Sequence, residues 1–463
     1  MTLHPLEILP IALYLGILLL LGLRKNGDDG SAESFVLGGR GLTLTAFIAT
    51  LVTTWYGGIL AVGEYTFLYG MSTWIVFGLP YYLFAVIFAW LLAPRIQADP
   101  GLSIPDYFYR HYGKKAGILS AMFTFMMTLP APYLLMTAML ISLFSGWPMW
   151  MCLLAATFVS LLYVHTGGFR SVVRTDLLQF VLMFGGFVLL LVVLIGRYGG
   201  LSFLAAHLPE MHLTWHGGNP PEMILIWFFI ALWTFVDPGF QQRCAAAASP
   251  RTARKGIVLS VSFWFFFDMM TTATGLYARA IFGEGGIEPL NAFPALGHQE
   301  LPPFFSGLFL TALLAVIMST TDSFLLISGT TIGHDLMSSG WGSARQTRTL
   351  VRRGLLISSA FSVILALLVP SVVNLWLVLG NIFIPPMLLP MLGCFFPRLN
   401  PGPGRVLGSM VASATVTFLF LGIALYRSTD LSYLDYLWGL PPMYPGLLVS
   451  VIFTIPWRGR NIL

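Results

Sequence analysis

Three observations predict an all-α polytopic membrane protein. Of 463 residues, 57% are hydrophobic and 9% are Asp, Glu, Lys or Arg, with a mean hydropathy of +0.82. Soluble domains run near a quarter charged, so this chain has too few polar groups to cover a water-facing surface. The apolar residues gather in runs of roughly 20, the length that carries a helix through the hydrocarbon core. No alternation of the β-barrel kind interrupts them. A soluble enzyme, a disordered chain and a nucleic-acid binder are excluded, although the net charge is +5. Cys152, Cys244 and Cys394 lie in or beside apolar runs and suggest neither a disulfide framework nor a zinc site.

About thirteen spans follow, each long enough to satisfy its own backbone in lipid. They lie near 4–23, 42–67, 71–94, 116–143, 147–165, 173–196, 222–246, 256–283, 304–333, 351–370, 371–396, 404–426 and 441–457, with the split near Pro370 the least marked. The first has no Lys or Arg before Arg24, so it lacks the basic start of a cleaved signal peptide and reads as a retained helix. With the N-terminus outside and the C-terminus in the cytoplasm, all of the 24 Lys and Arg except Arg197, Arg279 and Arg427 fall on the cytoplasmic side, Arg243 among them. That asymmetry explains the basic excess as topology, with no acidic partner required. The longest external loops, 197–221 and 284–303, have room for short surface helices, and 103–108 reads as an interfacial amphipathic turn.

Two spans are interrupted at corresponding points. The second carries Thr53-Thr54-Trp55-Tyr56-Gly57-Gly58 in mid-membrane, and the span from 222 carries Phe235-Val236-Asp237-Pro238-Gly239-Phe240. A Gly pair or Pro-Gly frees backbone groups, which lipid tolerates only where they line a cavity or meet neighbouring groups. Each interrupted span opens a set of five, 42–196 and 222–396, and an odd number makes the second set run opposite to the first. One helix precedes these sets and two follow (404–457). Such inverted repeats are the pattern of a secondary transporter, with its ion and solute site between the unwound segments.

The ninth span contributes a polar stripe. Ala312, Ala315, Ser319, Asp322 and Ser323 share one helical face, spaced by three and four. Small residues admit a close partner helix, and the hydroxyls and carboxylate supply hard oxygens suited to a hard cation such as Na+. Hydroxyls that merely bond back to their own helix are the plainer reading. Against it stands Asp322, because a mid-membrane carboxylate is costly unless paired, protonated or bound to an ion.

Met318-Ser319-Thr320-Thr321-Asp322-Ser323 resembles the Met-Ser-Thr-x-Asp-Ser signature of the sodium:solute symporter family. Phe35-Val36-Leu37-Gly38-Gly39-Arg40, the stretch from Gly167 to Gln179, and Asp237 with Gln242-Arg243 resemble other family motifs in the expected order. The resemblance implies a LeuT-like 5+5 core and Na+ as the coupling ion. It places the principal sodium site on backbone or hydroxyl oxygens of Thr53, Tyr56, Val316, Ser319 and Thr320. It also implies a second cation or proton site at Asp176 with Ser319, Asp322 and Ser323, both occupants being open; a salt bridge from Asp176 to Arg170 or Arg174 is the structural alternative.

Solute is expected against Trp55, Gly58, Asp237 and Phe240, with candidate walls at Trp74, Tyr133, Trp264 and Trp376. Asp237-Pro238 departs from the family's Asp-Gln, and Asp237 either attracts an amine or caps the unwound turn. No Arg or Lys is expected in mid-membrane to meet a carboxylate, and Asp268 has no evident partner. These readings make the chain a sodium-coupled importer of a small organic solute, in a bacterial inner membrane, with no obligatory protein partner. A proton-coupled symporter of the same fold, or a sensor or channel built on it, are the alternatives. An intramembrane enzyme is excluded because no reactive constellation is present.

Overall fold

A computed structural model describes residues 3–24, 31–99, 101–338, 344–369, 371–428 and 434–454. Helix α1 (Pro5–Leu23) starts at His4, whose ring accepts from the Leu6 amide while its own amide donates to Glu7. One face of α1 is pinned to the bundle. Glu7 accepts from Ser306 at 2.5 Å and lies 2.8 Å from His298 Nδ1, and Tyr14 accepts from Gln179 at 2.9 Å. The other faces expose Leu6, Ile8, Leu13 and Leu20, which suit contact with acyl chains.

The second expected span divides into α2 (Leu44–Trp55) and α3 (Ile59–Tyr69), bent by 57°. A π-helical stretch, Trp74–Gly78, runs into α4 (Leu79–Leu91). Ile104–Tyr112 forms α5, capped by Ser103. It was expected as a turn at the membrane interface, but Ile104, Tyr107 and Phe108 are almost wholly buried, so it is a packed part of the bundle. Helices α6 (Lys114–Met127) and α7 (Ala131–Ser145) form one expected span broken just before Pro130.

Met149–Tyr198, α8, runs for 50 residues, about 75 Å of helix and far more than one crossing. It contains the expected spans 147–165 and 173–196, divided at Gly168, whose φ of 58° and ψ of −152° belong to a region open essentially to glycine alone. The span from 222 is also broken. It reads as α9 (Pro221–Ile230), a 3-10 stretch Ala231–Val236, extended backbone at Asp237, and α10 (Pro238–Ala246).

Pro250–Phe282 is α11, and Pro303–Thr330 is α12, which continues as a π turn through Met337. Ala344–Leu368 (α13) and Val372–Phe395 (α14) confirm two helices around position 370, which itself lies outside the described residues. Helices α15 (Pro403–Arg427) and α16 (Met443–Thr454) pack on α14, and the last residues of the expected span 441–457 lie outside the described ones. Among the described residues ten helices can cross a membrane by length and composition, or eleven with the bent pair. The divided 50-residue helix and the short α16 account for the remaining expected crossings.

Helices α8 and α12 make the most extensive contact in the molecule, and α12 is buried along nearly its whole length. Among the described residues the one β-type pairing is a parallel bridge between Leu42 and Ala247. Leu42 donates to Ala246 at 2.9 Å and accepts from Ala248 at 3.0 Å. That bridge ties the start of α2 to the end of α10, fixing the two broken elements to each other beside α12. The loops 197–221 and 284–303 hold the short helices Leu201–His207 and Ala292–Glu300.

Candidate functional site

The break after α2 is shaped by a glycine. A Cβ on Gly57 would collide with the Thr320 side chain, so its absence lets α12 close on the gap. Thr320 then donates its hydroxyl to the Thr54 carbonyl at 2.7 Å. One residue earlier, Ser319 donates to Asp176 Oδ1 at 2.6 Å, while Thr50 donates to Asp176 Oδ2. Thr54 and Ser323 hydroxyls lie 3.1 Å apart. Helices α2, α8 and α12 thus present hydroxyl, carbonyl and carboxylate oxygens to one buried locus.

Arg243 stands at its edge and corrects an expectation. Its place near the end of a span suggested a cytoplasmic residue, and no cation was expected in mid-membrane. Instead α10 carries it inward, where it is 0% exposed. One terminal nitrogen donates to Ser323 at 2.6 Å, Thr54 at 2.8 Å and Thr50 at 3.2 Å; the other donates to Gln242 at 3.1 Å. The guanidinium also lies over the Phe169 ring at 5.6 Å. A buried charge needs such a set of partners to offset its lost hydration. Its signal in the sequence was the Gln242-Arg243 pair, and that of Thr50 and Thr54 was their spacing of four on α2.

The other expected residues divide into groups. Thr53 bonds its hydroxyl back to Ala49 at 2.9 Å, and its carbonyl accepts from the Tyr56 amide at 3.3 Å. Tyr56 donates its phenol to the Trp264 carbonyl at 2.9 Å, so these two residues bring only backbone oxygens toward the gap. Val316 is buried one turn before Thr320. Asp322 accepts from Tyr163, and its Oδ1 has no hydrogen-bond partner among the described residues. Ser323 faces Thr54 and Arg243. The expected trio is therefore spread over three settings: Asp176 with Ser319, Asp322 with Tyr163, and Ser323 with Arg243. Arg170 does not bridge to Asp176; its Nε donates to the Gly38 carbonyl at 3.0 Å. Tyr163 carried no signal, being one aromatic in an apolar run.

Beside this locus a cavity encloses about 1110 Å³ of empty space, including its open mouth. Trp55, Gly58, Asp237 and Phe240 all line it, with Tyr81, Tyr133, Trp233, Trp376 and the inner edge of Arg243. Of the four candidate walls, Tyr133 and Trp376 border the cavity, whereas Trp264 is packed behind Trp55 at 5.2 Å and Trp74 is not among the lining residues. Asp237 caps α10, accepting from the Phe240 amide at 2.8 Å, and its second oxygen accepts from Trp233 Nε1 at 3.0 Å. Asp268, without an evident partner in the sequence, accepts from Tyr82.

The sodium:solute symporter family profile matches residues 35–411. Over 97% of its length the chain is 25% identical to the osmoregulated proline transporter of Bacillus subtilis, covering 93% of that protein. The sodium/pantothenate symporter of Escherichia coli is also 25% identical, with 96% of this chain and 94% of that one aligned. Among solved structures, a substrate-bound, outward-open Na+-coupled sialic acid symporter superposes with a TM-score of 0.79 at 17% identity, covering 97% of this chain and 96% of its own. At that identity the superposition speaks for the fold, a LeuT-like arrangement. The profile spans most of the chain, and Thr320 of its ninth expected span bonds to the backbone of a broken helix, so this protein belongs to the sodium:solute symporter family.

Proposed function

We propose that the chain imports a small organic solute with Na+, holding the ion between the end of α2 and the middle of α12. The oxygens assigned to it are those of Thr53, Tyr56 and Val316 from the backbone and of Ser319 and Thr320 from side chains. The contact from Thr320 to the Thr54 carbonyl carries this reading, because it brings a hydroxyl of α12 to the backbone of the break. Na+ would take the lone pairs of hydroxyls that now donate hydrogen bonds. A set of mainly neutral oxygens holds the ion without trapping it, and Asp176 beside Ser319 adds attraction.

Coupling follows from geometry. An ion held by both α2 and α12 favours the arrangement in which they are close, and a solute that prefers the same arrangement gains affinity in turn. Arg243 touches the hydroxyls on the ion side and borders the solute cavity, so it can transmit that preference. The repeats 42–196 and 222–396 move against each other in this scheme, the N-terminus faces outward, and the membrane is a bacterial inner membrane. The proline and pantothenate relatives point to a solute of similar small size.

Thermal stability of the purified protein in Na+ against K+ tests the ion assignment. Na+ should raise the melting temperature of the wild type and leave Ser319→Ala/Thr320→Ala unchanged. A Na+ shift that survives in the double variant removes the assignment. Asp322, buried with one unpartnered oxygen, supports a second reading in which a proton or another cation is carried beside Tyr163.

A further inference from the structure

We infer that the cavity is built for a solute bearing a quaternary ammonium group, seated among Trp55, Tyr81, Tyr133 and Trp376 beside Asp237. This names the solute class of the site proposed above and rests on that reading. The walls are the first ground. Trp55 stands edge-on to Tyr81 at 4.9 Å and to Phe240 at 5.5 Å, and Tyr133 lies 6.4 Å from Trp376. Ring faces attract cations, most strongly where water is excluded.

Charge is the second ground. Asp237 and Asp268 both border the cavity, and neither is in an ion pair among the described residues. The one cation there, Arg243, directs a terminal nitrogen to Thr50, Thr54 and Ser323, and Thr50 also bonds Asp176. Its charge acts on Asp176 at the ion side and on Asp237 at the cavity, so around the cavity and its ion side three carboxyl groups stand against one guanidinium.

The third ground is the state of the Asp237 oxygens. Both already accept, from Phe240 and Trp233, so the carboxylate is fixed in place and offers charge more than hydrogen bonds. Sugars and polyols need many free acceptors and donors, which aromatic walls do not supply. An anion would face two carboxylates. A quaternary ammonium needs a ring face and a nearby negative charge, and here it finds both.

The test uses the full chain in lipid nanodiscs with saturating Na+, following melting temperature and Trp fluorescence. Tetramethylammonium, choline and glycine betaine are compared with 3,3-dimethyl-1-butanol, the uncharged counterpart of choline, and with pantothenate and L-proline. The ammonium probes should bind saturably, and the uncharged counterpart about tenfold more weakly or worse. Asp237→Asn keeps an oxygen to cap Phe240 but gives up the bond from Trp233 along with the charge; it should melt somewhat lower, still be stabilised by Na+, and bind choline about tenfold more weakly. Tyr81→Leu should weaken choline similarly, with Tyr81→Phe restoring it. Tighter binding of glycine betaine than of choline supports the inference. Equal binding of choline and its uncharged counterpart overturns it, as does stabilisation by pantothenate or L-proline with none by the methylated probes. In those cases a persisting Na+ shift leaves the symport reading standing; a missing Na+ shift strikes that reading instead.

Discussion

Arg243 and Asp176 meet on one hydroxyl: Thr50 Oγ1 accepts from the guanidinium at 3.2 Å and donates to the carboxylate. The two charges come from α10 and α8, elements of opposite sequence halves, and the threonine belongs to α2. This bridge neutralises a buried arginine without a direct ion pair. It also leaves Asp176 Oδ1 to Ser319, the hydroxyl assigned to Na+.

Replacing Arg243 should therefore be severe. Arg243→Gln leaves Asp176 without its nearby cation and the hydroxyls of Thr54 and Ser323 without the guanidinium, a loss of about 3–5 kcal/mol, the order for a buried charge left without compensation. Arg243→Lys keeps the charge but cannot span Gln242 and the three hydroxyls together. Lys should retain expression and melt lower than wild type, with Na+-driven uptake reduced at least tenfold. Wild-type uptake in the Lys variant would show that the fork geometry is unnecessary.

Gly57→Ala probes the approach of α12. Its Cβ falls on the Thr320 side chain, so the hydroxyl must leave the Thr54 carbonyl. Na+ affinity should drop at least about tenfold, the equivalent of one lost ligand contact of roughly 1.4 kcal/mol, and the apo melting temperature should fall too, because the Thr320 Cβ cannot swing out of the way and overpacking costs about 1–3 kcal/mol. Unaltered Na+ titration would place the ion elsewhere.

Gly168→Ala addresses the fold without touching the site. The mirror-image backbone at Gly168 is costly for any L side chain, and a Cβ there comes 2.5 Å from the Phe35 carbonyl. Stability should fall by about 1–3 kcal/mol, read as a lower melting temperature, with Na+ affinity preserved in the folded fraction.

Asp322 tests proton coupling. Protons and Na+ compete for carboxylates, so Na+ stabilisation in the wild type should weaken toward acid pH, and Asp322→Asn should flatten that dependence. Tyr163→Phe removes its hydrogen-bond donor and should move the profile without abolishing it. An identical profile in Asp322→Asn would make Asp322 a scaffold residue.

His212 gives a separate pH response outside the spans. Burial holds its imidazole below the ordinary range, with a smaller opposing effect from the Phe67 carbonyl, to which Nε2 donates at 3.0 Å. Because the folded state resists protonation, stability is full above the unfolded value near 6.5 and declines as pH falls below it. The contact at stake is the His212 carbonyl with the Met71 amide, 2.9 Å, which ties the 197–221 loop to the end of α3. His212→Gln, which can still donate to Phe67, should lessen the loss of melting temperature between pH 6.5 and 5; an unchanged slope would assign the loss to other groups.

Much of the architecture is written along the chain. Run length and the scarcity of charge determine the spans, because lipid requires each helix to satisfy its own backbone. The glycine pair at 57–58 and Asp237-Pro238 mark where helices must break, and the stripe through Ser319 marks the face of α12 that meets them. Ser319 and Thr320 were legible as a polar stretch of α12, since the order of hydroxyls along a helix is a local property, whereas Thr50 and Thr54 were not singled out. What only the tertiary structure decided was pairing between distant elements. Arg243 looked like a loop residue until α10 turned it inward onto Thr50, Thr54 and Ser323. Asp322 and Asp176 remain neighbours, but packing gave each its own donor, Tyr163 in one case and Thr50 with Ser319 in the other. A one-dimensional pattern fixes which face of a helix is polar, but the neighbour that face meets depends on how the whole bundle closes, and with it the charge of every buried group.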